Sequence, residues 1–143
     1  MIAVDTNILV HAHQREADFH NTAKELLRRL AESPVPWGVC YHSFIEFYGV
    51  VTRNNIWKVP SLPEQAIDQI AAWRESPSIR VLFDDSSTFN ELSQIVISAN
   101  VKGPLIHDAR IAACCISSGV SEFWTVDRDF SRFTKLHTKN PLG

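Results

Sequence analysis

Short apolar segments alternate along this chain with segments that have helical periodicity. Apolar runs predict buried strands at 1–4, 37–41, 79–83 and 123–126, and one more edge strand is expected within 136–143. Apolar residues at helical spacing predict a short helix beginning near residue 8 and longer helices at 18–31, 43–53, 63–73, 88–99 and 107–117. This alternation predicts an α/β fold of three layers, with a central, mainly parallel β-sheet flanked by helices.

The length and composition fit a single domain that spans residues 1–143. Hydrophobic residues make up 45% of the chain and charged residues 21%, which is ordinary for a globular protein, and no linker or repeat divides the sequence. The three cysteines, Cys40, Cys114 and Cys115, have no spacing typical of a disulfide framework or of a zinc site. We therefore expect reduced thiols, with the adjacent pair packed in the core.

Nothing in the sequence predicts a membrane segment. The N-terminus has no basic region ahead of its apolar run, and no apolar run approaches the roughly 20 residues that span a bilayer. A cytoplasmic location is therefore expected. The net charge of −2 does not favour a nucleic-acid-binding protein by bulk electrostatics, although a cluster of catalytic acids would itself contribute to that balance.

Two aspartates directly follow predicted strands. Asp5 comes after the first strand and Asp127 after a later one. In open α/β sheets, functional sites lie beyond the carboxyl ends of the strands, so both side chains are expected at the same edge. Each could instead serve only as a helix N-cap or in an Asx-turn, which are common uses of aspartate after a strand.

Two further acids lie at predicted helix entries. Glu46 is surrounded by apolar and aromatic residues, and an acid there is costly to bury without a partner. The spacing Ser43-x-x-Glu46 also matches a capping box, so function and capping both stay open. Asp108 opens the helix predicted at 107–117, where capping or the helix dipole could explain it, and small residues at 109, 112 and 113 would let that helix pack closely on the sheet.

Together the four acids predict a metal site. Crowded carboxylates repel one another, and a cation relieves that repulsion. Ligands that are all oxygen atoms favour Mg²⁺, with Mn²⁺ as an alternative, over Zn²⁺. Such an ion can activate water and stabilise the charge that develops on a phosphodiester. The residues therefore predict a divalent-metal-dependent nuclease.

Four ordered motifs resemble the signatures of the PIN-domain nucleases. They are Val4-Asp5-Thr6-Asn7, Ser43-Phe44-Ile45-Glu46-Phe47, His107-Asp108-Ala109-Arg110 and Thr125-Val126-Asp127-Arg128-Asp129. The segment 133–136, followed by Asn140-Pro141-Leu142, is similar to the ending of VapC-type toxins in particular. The resemblance covers essentially the whole chain in the right order and spacing.

The resemblance implies a Mg²⁺-dependent endoribonuclease that acts as the toxin of a type II toxin–antitoxin pair. It also implies a homodimer and a small antitoxin that covers the active-site groove. Among the residues, it implies Asp5 and Asp108 as the foremost metal ligands, with Glu46 and Asp127 completing an acidic quartet. Supporting roles fall to Asn7 and Thr125, which would orient the ligands, and to Asp129 as a second acid in the last motif.

Other functions remain open on the sequence alone. A phosphatase of the haloacid-dehalogenase type also begins with a strand and an aspartate, but it needs a second acid where this chain has Asn7. A PIN nuclease of RNA processing and a non-catalytic PIN-like binding module share the fold, and loss of an acid would indicate the latter. A zinc site is disfavoured because no H-E-x-x-H motif is present.

Tryptophans and basic residues could contact RNA. The tryptophans Trp37, Trp57, Trp73 and Trp124 could stack on bases, but core or interface packing is the favoured interpretation. Candidate phosphate contacts are Arg53, Lys58, Arg110, Arg128 and Arg132, and their alternative is an ordinary solvated face.

Overall fold

A five-stranded parallel sheet forms the centre of the structure, a computed structural model that describes residues 1–143. The strands are β1 (Ile2–Val4), β2 (Trp37–Cys40), β3 (Ile79–Leu82), β4 (Glu122–Trp124) and β5 (Thr138–Lys139). They are ordered β3-β2-β1-β4-β5, and every neighbouring pair is parallel. The predicted α/β fold is confirmed, including the edge strand expected within 136–143.

Six α-helices flank the sheet: α1 (Thr6–His13), α2 (His20–Glu32), α3 (Tyr41–Val51), α4 (Pro63–Arg74), α5 (Ser86–Ser98) and α6 (Leu105–Ser117). A short 3₁₀ helix, Arg128–Arg132, follows β4. All six predicted helices are present, but α1, α3, α5 and α6 each begin two residues earlier than predicted, and α2 begins two residues later. None of them combines the length and apolar character that crossing a bilayer requires.

Two separate cores lie on the two faces of the sheet. Successive strand residues point to opposite faces, so Ala3 and Val4 of β1, both fully buried, belong to different cores. The core around Val4 is filled by residues of α1 to α4, and the core around Ala3 by residues of α5 and α6. The result is the three-layer arrangement that the sequence predicts.

Small residues bring α6 close to the sheet. Ala109, Ala112 and Ala113 are fully buried, which confirms the close packing expected of this helix. Gly119, with φ of 76°, ends the helix in the left-handed conformation that glycine adopts without strain. The cysteines are free and buried, as predicted.

The tryptophans pack inside the protein. Trp37 and Trp73 are buried, and Trp57 and Trp124 are partly buried against the same core. This confirms the interpretation of these side chains as core packing.

The strand order places a crevice between β1 and β4. The chain builds β2 and β3 on one side of β1 and then crosses to form β4 on its other side. In parallel sheets the crevice at such a reversal, beyond the carboxyl ends of the two strands, is the usual position of a site.

Candidate active site

Two of the predicted acids lie at this crevice. Asp5 directly follows β1, whose Val4 pairs with Trp124 of β4, and the Asp5 N–H donates to the Trp124 carbonyl at 2.9 Å. Thr125 and Asp127 follow β4. The rule that located the site from the sequence therefore places the first and last motifs side by side.

The Asp5 carboxylate is held by three neighbours. It is 4% exposed, and its Oδ1 accepts from the Thr6 backbone N–H at 2.8 Å. Its Oδ2 accepts from the Thr125 hydroxyl at 2.7 Å and from the Asn7 amide at 3.1 Å. The two residues predicted to orient a metal ligand, Asn7 and Thr125, thus both contact Asp5.

Thr125 links the first motif to the last. Its hydroxyl oxygen accepts from the Asp127 N–H at 3.0 Å and from the Asn7 amide at 3.2 Å while it donates to Asp5. The side-chain Oδ1 of Asn7 in turn accepts from the Val126 N–H at 3.3 Å. This network fixes the position of Asp5 relative to the segment that carries Asp127.

Glu46 reaches the site from α3, and its capping alternative is wrong. Because β2 ends at Cys40 and α3 begins at once with Tyr41, Ser43 is already inside the helix and is not an N-cap. The buried Ser43 hydroxyl makes no hydrogen bond. Glu46 Oε1 accepts instead from the Thr6 hydroxyl, at 2.8 Å.

Three aspartates form the tightest carboxylate group. One oxygen atom from each of Asp108, Asp127 and Asp129 lies within 4.8 Å of the others. Asp108 lies in the first turn of α6, since that helix begins at Leu105, and it is therefore not an N-cap. Asp129, expected only in a supporting role, belongs to this group, whereas Asp5 lies outside it. We call Asp5, Glu46, Asp108, Asp127 and Asp129 the acid pocket.

Burial and mutual repulsion disfavour ionised carboxylates in the acid pocket. Burial, with the charges of Glu46 and Asp108, raises the pKa of Asp5 from 3.8 to about 7, despite its hydrogen bonds to Thr125 and Thr6. Burial, with the charges of Asp127, Glu46 and Asp129, raises the pKa of Asp108 to about 6. Asp5 and Asp108 are each perturbed by other members, so the five acids are close enough to form one electrostatic unit.

Capping and site geometry coexist at two positions. Asp5 is the N-cap of α1, and Asp127 is the N-cap of the 3₁₀ helix, where its Oδ1 accepts from the Asp129 N–H at 2.9 Å. Each carboxylate has a second oxygen atom outside its capping bond. The capping alternatives are therefore correct as descriptions of local structure, and they do not remove either acid from the pocket.

Several contacts around Glu46 were not predicted from the sequence. Thr6 bridges Asp5 and Glu46 through its N–H and its hydroxyl. His42 has its Nε2 4.0 Å from Glu46 Oε2, and its Nδ1 accepts from Arg110 at 3.3 Å. Thr6 adjoins Asp5 in the first motif, and His42 lies one helical turn before Glu46. These positions in the sequence could have indicated that both residues lie near the acids.

The basic candidates separate into two groups. Arg132 lines an open cavity of about 400 Å³ together with Asp108 and Asp129, and so does Lys102, which was not among the candidates. Arg110 lies two residues after Asp108 on α6. Lys58 instead lines a different cavity, at the other end of α1.

Comparison with known proteins agrees with this architecture. The family model described as "PIN domain" matches residues 2–136. This chain therefore belongs to the PIN-domain family, as its four motifs predict.

The similar proteins are VapC ribonucleases and their complexes. Ribonuclease VapC48 of Mycobacterium tuberculosis is 26% identical over 139 residues, which cover 97% of this chain and 96% of that protein. Ribonuclease VapC43 of the same organism is 29% identical over 142 residues, covering 99% and 96%. The structure of VapBC2 from Rickettsia felis bound to a DNA fragment from its promoter is similar with a TM-score of 0.69, at 17% identity and 98% coverage of both chains. That likeness confirms the fold.

Proposed function

We propose that this protein is a metal-dependent endoribonuclease and that the acid pocket is its active site. The observation that carries the proposal is the group of three aspartate oxygen atoms within 4.8 Å of one another, at the switch point of the sheet. Two further acids, Asp5 and Glu46, are electrostatically coupled to it. The names of the relatives, which are ribonucleases matched over nearly their whole length, support RNA as the substrate.

The donor set fits Mg²⁺ or Mn²⁺. All five residues that define the acid pocket are carboxylates, and hard divalent cations prefer such oxygen ligands. Asp108 with Asp127 and Asp129 would hold the ion, and Asp5 and Glu46 would complete the set directly or through water. A bound cation would offset the repulsion that, together with burial, raises the pKa of Asp108, and it would supply charge stabilisation at the scissile phosphate.

The protein's own residues orient this site and attract the substrate. Thr125 and Asn7 hold Asp5, and Thr6 holds Glu46, so the acids do not need to reorganise when RNA binds. Lys102 and Arg132, which flank Asp108 and Asp129 in an open cavity, are suited to contact backbone phosphates on either side of the cleaved bond.

A role as the toxin of a toxin–antitoxin pair follows as the cellular function. The similar structure is a VapBC2 complex bound to promoter DNA, and the relatives are named as VapC proteins. We propose that a small antitoxin covers the acid pocket of this chain and that two copies of the chain form a homodimer. Analytical ultracentrifugation of the purified protein tests the dimer, and a single species at monomer mass would contradict it.

Cleavage of total cellular RNA tests the enzymatic proposal. The parent protein should cut RNA at defined positions when Mg²⁺ is present and not when it is chelated, and mapped ends would identify the target. Asp108→Ala is expected to remove this cleavage. A parent protein that leaves total RNA intact under both conditions would contradict the proposal.

Controlled expression tests the toxin role separately. Growth should stop when the parent protein is expressed without an antitoxin and should continue when Asp108→Ala is expressed at the same level. A parent protein that cuts RNA in vitro but does not slow growth would favour a role in RNA processing.

A further inference from the structure

Two exposed aromatic side chains lie at the same sheet edge as the acid pocket. Tyr41 directly follows β2 and Phe83 directly follows β3, so both extend beyond the carboxyl ends of their strands. Their rings stack with centroids 5.3 Å apart and an angle of 26° between planes. They nevertheless remain 48% and 60% exposed, which leaves part of each ring free to bind another flat group.

A cavity of about 230 Å³ lies beside this aromatic pair. Its apolar lining comes from Cys40, Leu82, Ile111 and Cys114, and its polar lining from His42, Asp84 and Arg110. It is smaller than the roughly 300–1,000 Å³ typical of pockets for drug-sized ligands. Its combination of aromatic walls and a charged rim suits a small planar group with polar edges.

Arg110 is fixed in place at the rim of this cavity. Its Nε donates to Asp84 Oδ2 at 2.7 Å, and its Nη1 donates to His42 Nδ1 at 3.3 Å. A guanidinium has five N–H groups, so three remain to bind a ligand. The side chain is 43% exposed, and its carboxylate partner is 38% exposed. The rim therefore presents a pre-oriented cation and an accessible carboxylate together.

The cavity adjoins the acid pocket through His42, which lines the cavity and lies next to Glu46. His42 contacts Arg110 on one side, and its Nε2 lies 4.0 Å from Glu46 Oε2 on the other. A polynucleotide whose phosphate lies at the acid pocket can thus place an adjacent nucleotide at the aromatic pair.

We propose that Tyr41, Phe83 and Arg110 form a subsite that binds one unpaired nucleobase of the RNA next to the cleaved phosphodiester. The inference rests on the proposed ribonuclease function and adds where the substrate is held. Aromatic side chains bind bases of single-stranded nucleic acid by stacking, and each stacked base contributes on the order of tenfold or more in affinity. Arg110 adds hydrogen bonds to a phosphate or a base edge, and Asp84 supplies the acceptor for base N–H groups.

RNA is the occupant favoured by the chemistry of the rim. A purely apolar partner would leave the Asp84–Arg110 ion pair desolvated without new partners, which is costly. A nucleobase instead presents donors and acceptors along its edge while its faces stay apolar enough to stack. The cavity also lies beside the proposed site of phosphodiester cleavage, which likewise favours RNA as its occupant.

Binding of a labelled single-stranded RNA tests the subsite. The probe is a fluorescein-labelled RNA of mixed sequence about a dozen nucleotides long, titrated with Mg²⁺ present against Asp5→Asn protein, so that cleavage does not interfere. Adding Phe83→Ala should weaken binding about tenfold, and Phe83→Tyr should restore it to within about twofold because the ring is kept. Phe89→Ala is the matched control, since Phe89 is 68% exposed on α5 and does not line the cavity.

The other outcomes distinguish this inference from the proposed function. Equal RNA affinity with and without Phe83→Ala would overturn the subsite, even if the parent protein cuts total RNA normally. If Phe83→Ala converts the dimer to a monomer and leaves RNA affinity unchanged, the surface around Tyr41 and Phe83 is a contact between copies of the chain and not an RNA subsite. If the variant loses only antitoxin binding, that surface binds the antitoxin instead. If the parent protein does not cut RNA, the proposed function fails, while the titration still decides whether Phe83 binds single-stranded RNA.

Discussion

Helix α1 begins at the acid pocket and ends at a cavity of about 680 Å³, which we call the far cavity. Polar side chains line both places, but they are arranged differently. In the far cavity, Glu16 accepts hydrogen bonds from the backbone N–H groups of Val59 and Lys58, both at 2.9 Å, and these bonds lower its pKa. In the acid pocket, burial and neighbouring carboxylates raise the pKa of Asp5 and Asp108.

The difference distinguishes polar groups whose hydrogen bonds are already satisfied from carboxylates that repel one another. His13 is satisfied inside the far cavity by Gln69 at 3.0 Å and Ser61 at 2.8 Å, so its side chain already has partners on both ring nitrogens. The carboxylates of the acid pocket repel one another. The hydrogen-bond partners of Asp5 are Thr6, Asn7 and Thr125, and none of them carries a positive charge. Cavity size alone would select the far cavity as the site, whereas the energetics of the charges select the acid pocket.

Replacing Asp5 should give the largest effect. Asp5→Asn is expected to reduce Mg²⁺-dependent RNA cleavage on the order of 100-fold or more. The metal-free variant should melt at or above the parent temperature at about pH 8, because removal of a buried charge offsets the hydrogen bond that the amide nitrogen cannot accept. Cleavage assays and thermal melts check the two halves. A variant that cuts RNA at the parental rate would remove Asp5 from the site.

Addition of Mg²⁺ should stabilise the parent protein in a pH-dependent manner. The pKa of Asp5 in the folded state is about 7, above its ordinary 3.8, so between these values the folded state binds more protons than the unfolded state. This group therefore makes the metal-free fold less stable as pH rises through that window. Because Mg²⁺ competes with protons, it should raise the melting temperature by several degrees at about pH 8 and by less at about pH 5.

The control for this prediction is Asp5→Asn. Its melting temperature should respond less to Mg²⁺ at either pH, since one of the coupled carboxylates is gone. A Mg²⁺ response of the parent protein that is equal at both pH values, or larger at the lower one, would contradict the account of the acid pocket.

Truncating a side chain in the far cavity should affect stability and leave catalysis intact. His13→Ala removes two hydrogen bonds and an edge contact with Phe47, whose ring centroid is 5.2 Å away. We expect the free energy of unfolding to fall by about 1–3 kcal/mol. Urea unfolding measures this loss. A fall in the RNA cleavage rate beyond the fraction that is unfolded would show that the two ends of α1 are functionally coupled.

The smallest expected effect distinguishes the two groups of basic residues. Lys58→Ala, at the far cavity, should leave RNA cleavage within about twofold of the parent rate. Arg132→Ala, beside Asp108 and Asp129, should raise KM severalfold and weaken its dependence on salt, because one phosphate contact is lost. Steady-state kinetics at two salt concentrations compare the variants. Equal effects of both would mean that RNA also passes the far cavity.

Much of the fold and the positions of the acids could be predicted from local sequence. Asp5 and Asp127 follow strands, and parallel strands collect such residues at one edge, so their convergence needed only the strand pattern. The start of α3 was harder to predict from the sequence. The chain turns from β2 directly into the helix at Tyr41, which places Ser43 and Glu46 three residues beyond the N-cap and N3 positions that a capping box requires.

The contacts around the pocket depend on long-range geometry. Arg110 pairs with Asp84 and with His42, residues that are 26 and 68 positions away along the chain. No spacing rule relates such residues, because the sheet order, which the sequence pattern does not specify, determines which loops meet. The tight grouping of Asp129 with Asp108 likewise follows from the 3₁₀ helix after β4, which the sequence analysis did not predict.

The most direct test of the acid pocket is a crystal structure of the protein soaked in Mn²⁺, with the ion located by its anomalous scattering. We expect a peak at the switch point of the sheet, within coordination distance of Asp108 and of at least one of Asp127 and Asp129, with Asp5 bound directly or through water. Asp5→Asn should weaken the peak under the same soak. A parent crystal that binds Mn²⁺ elsewhere, and not at these carboxylates, would contradict the account.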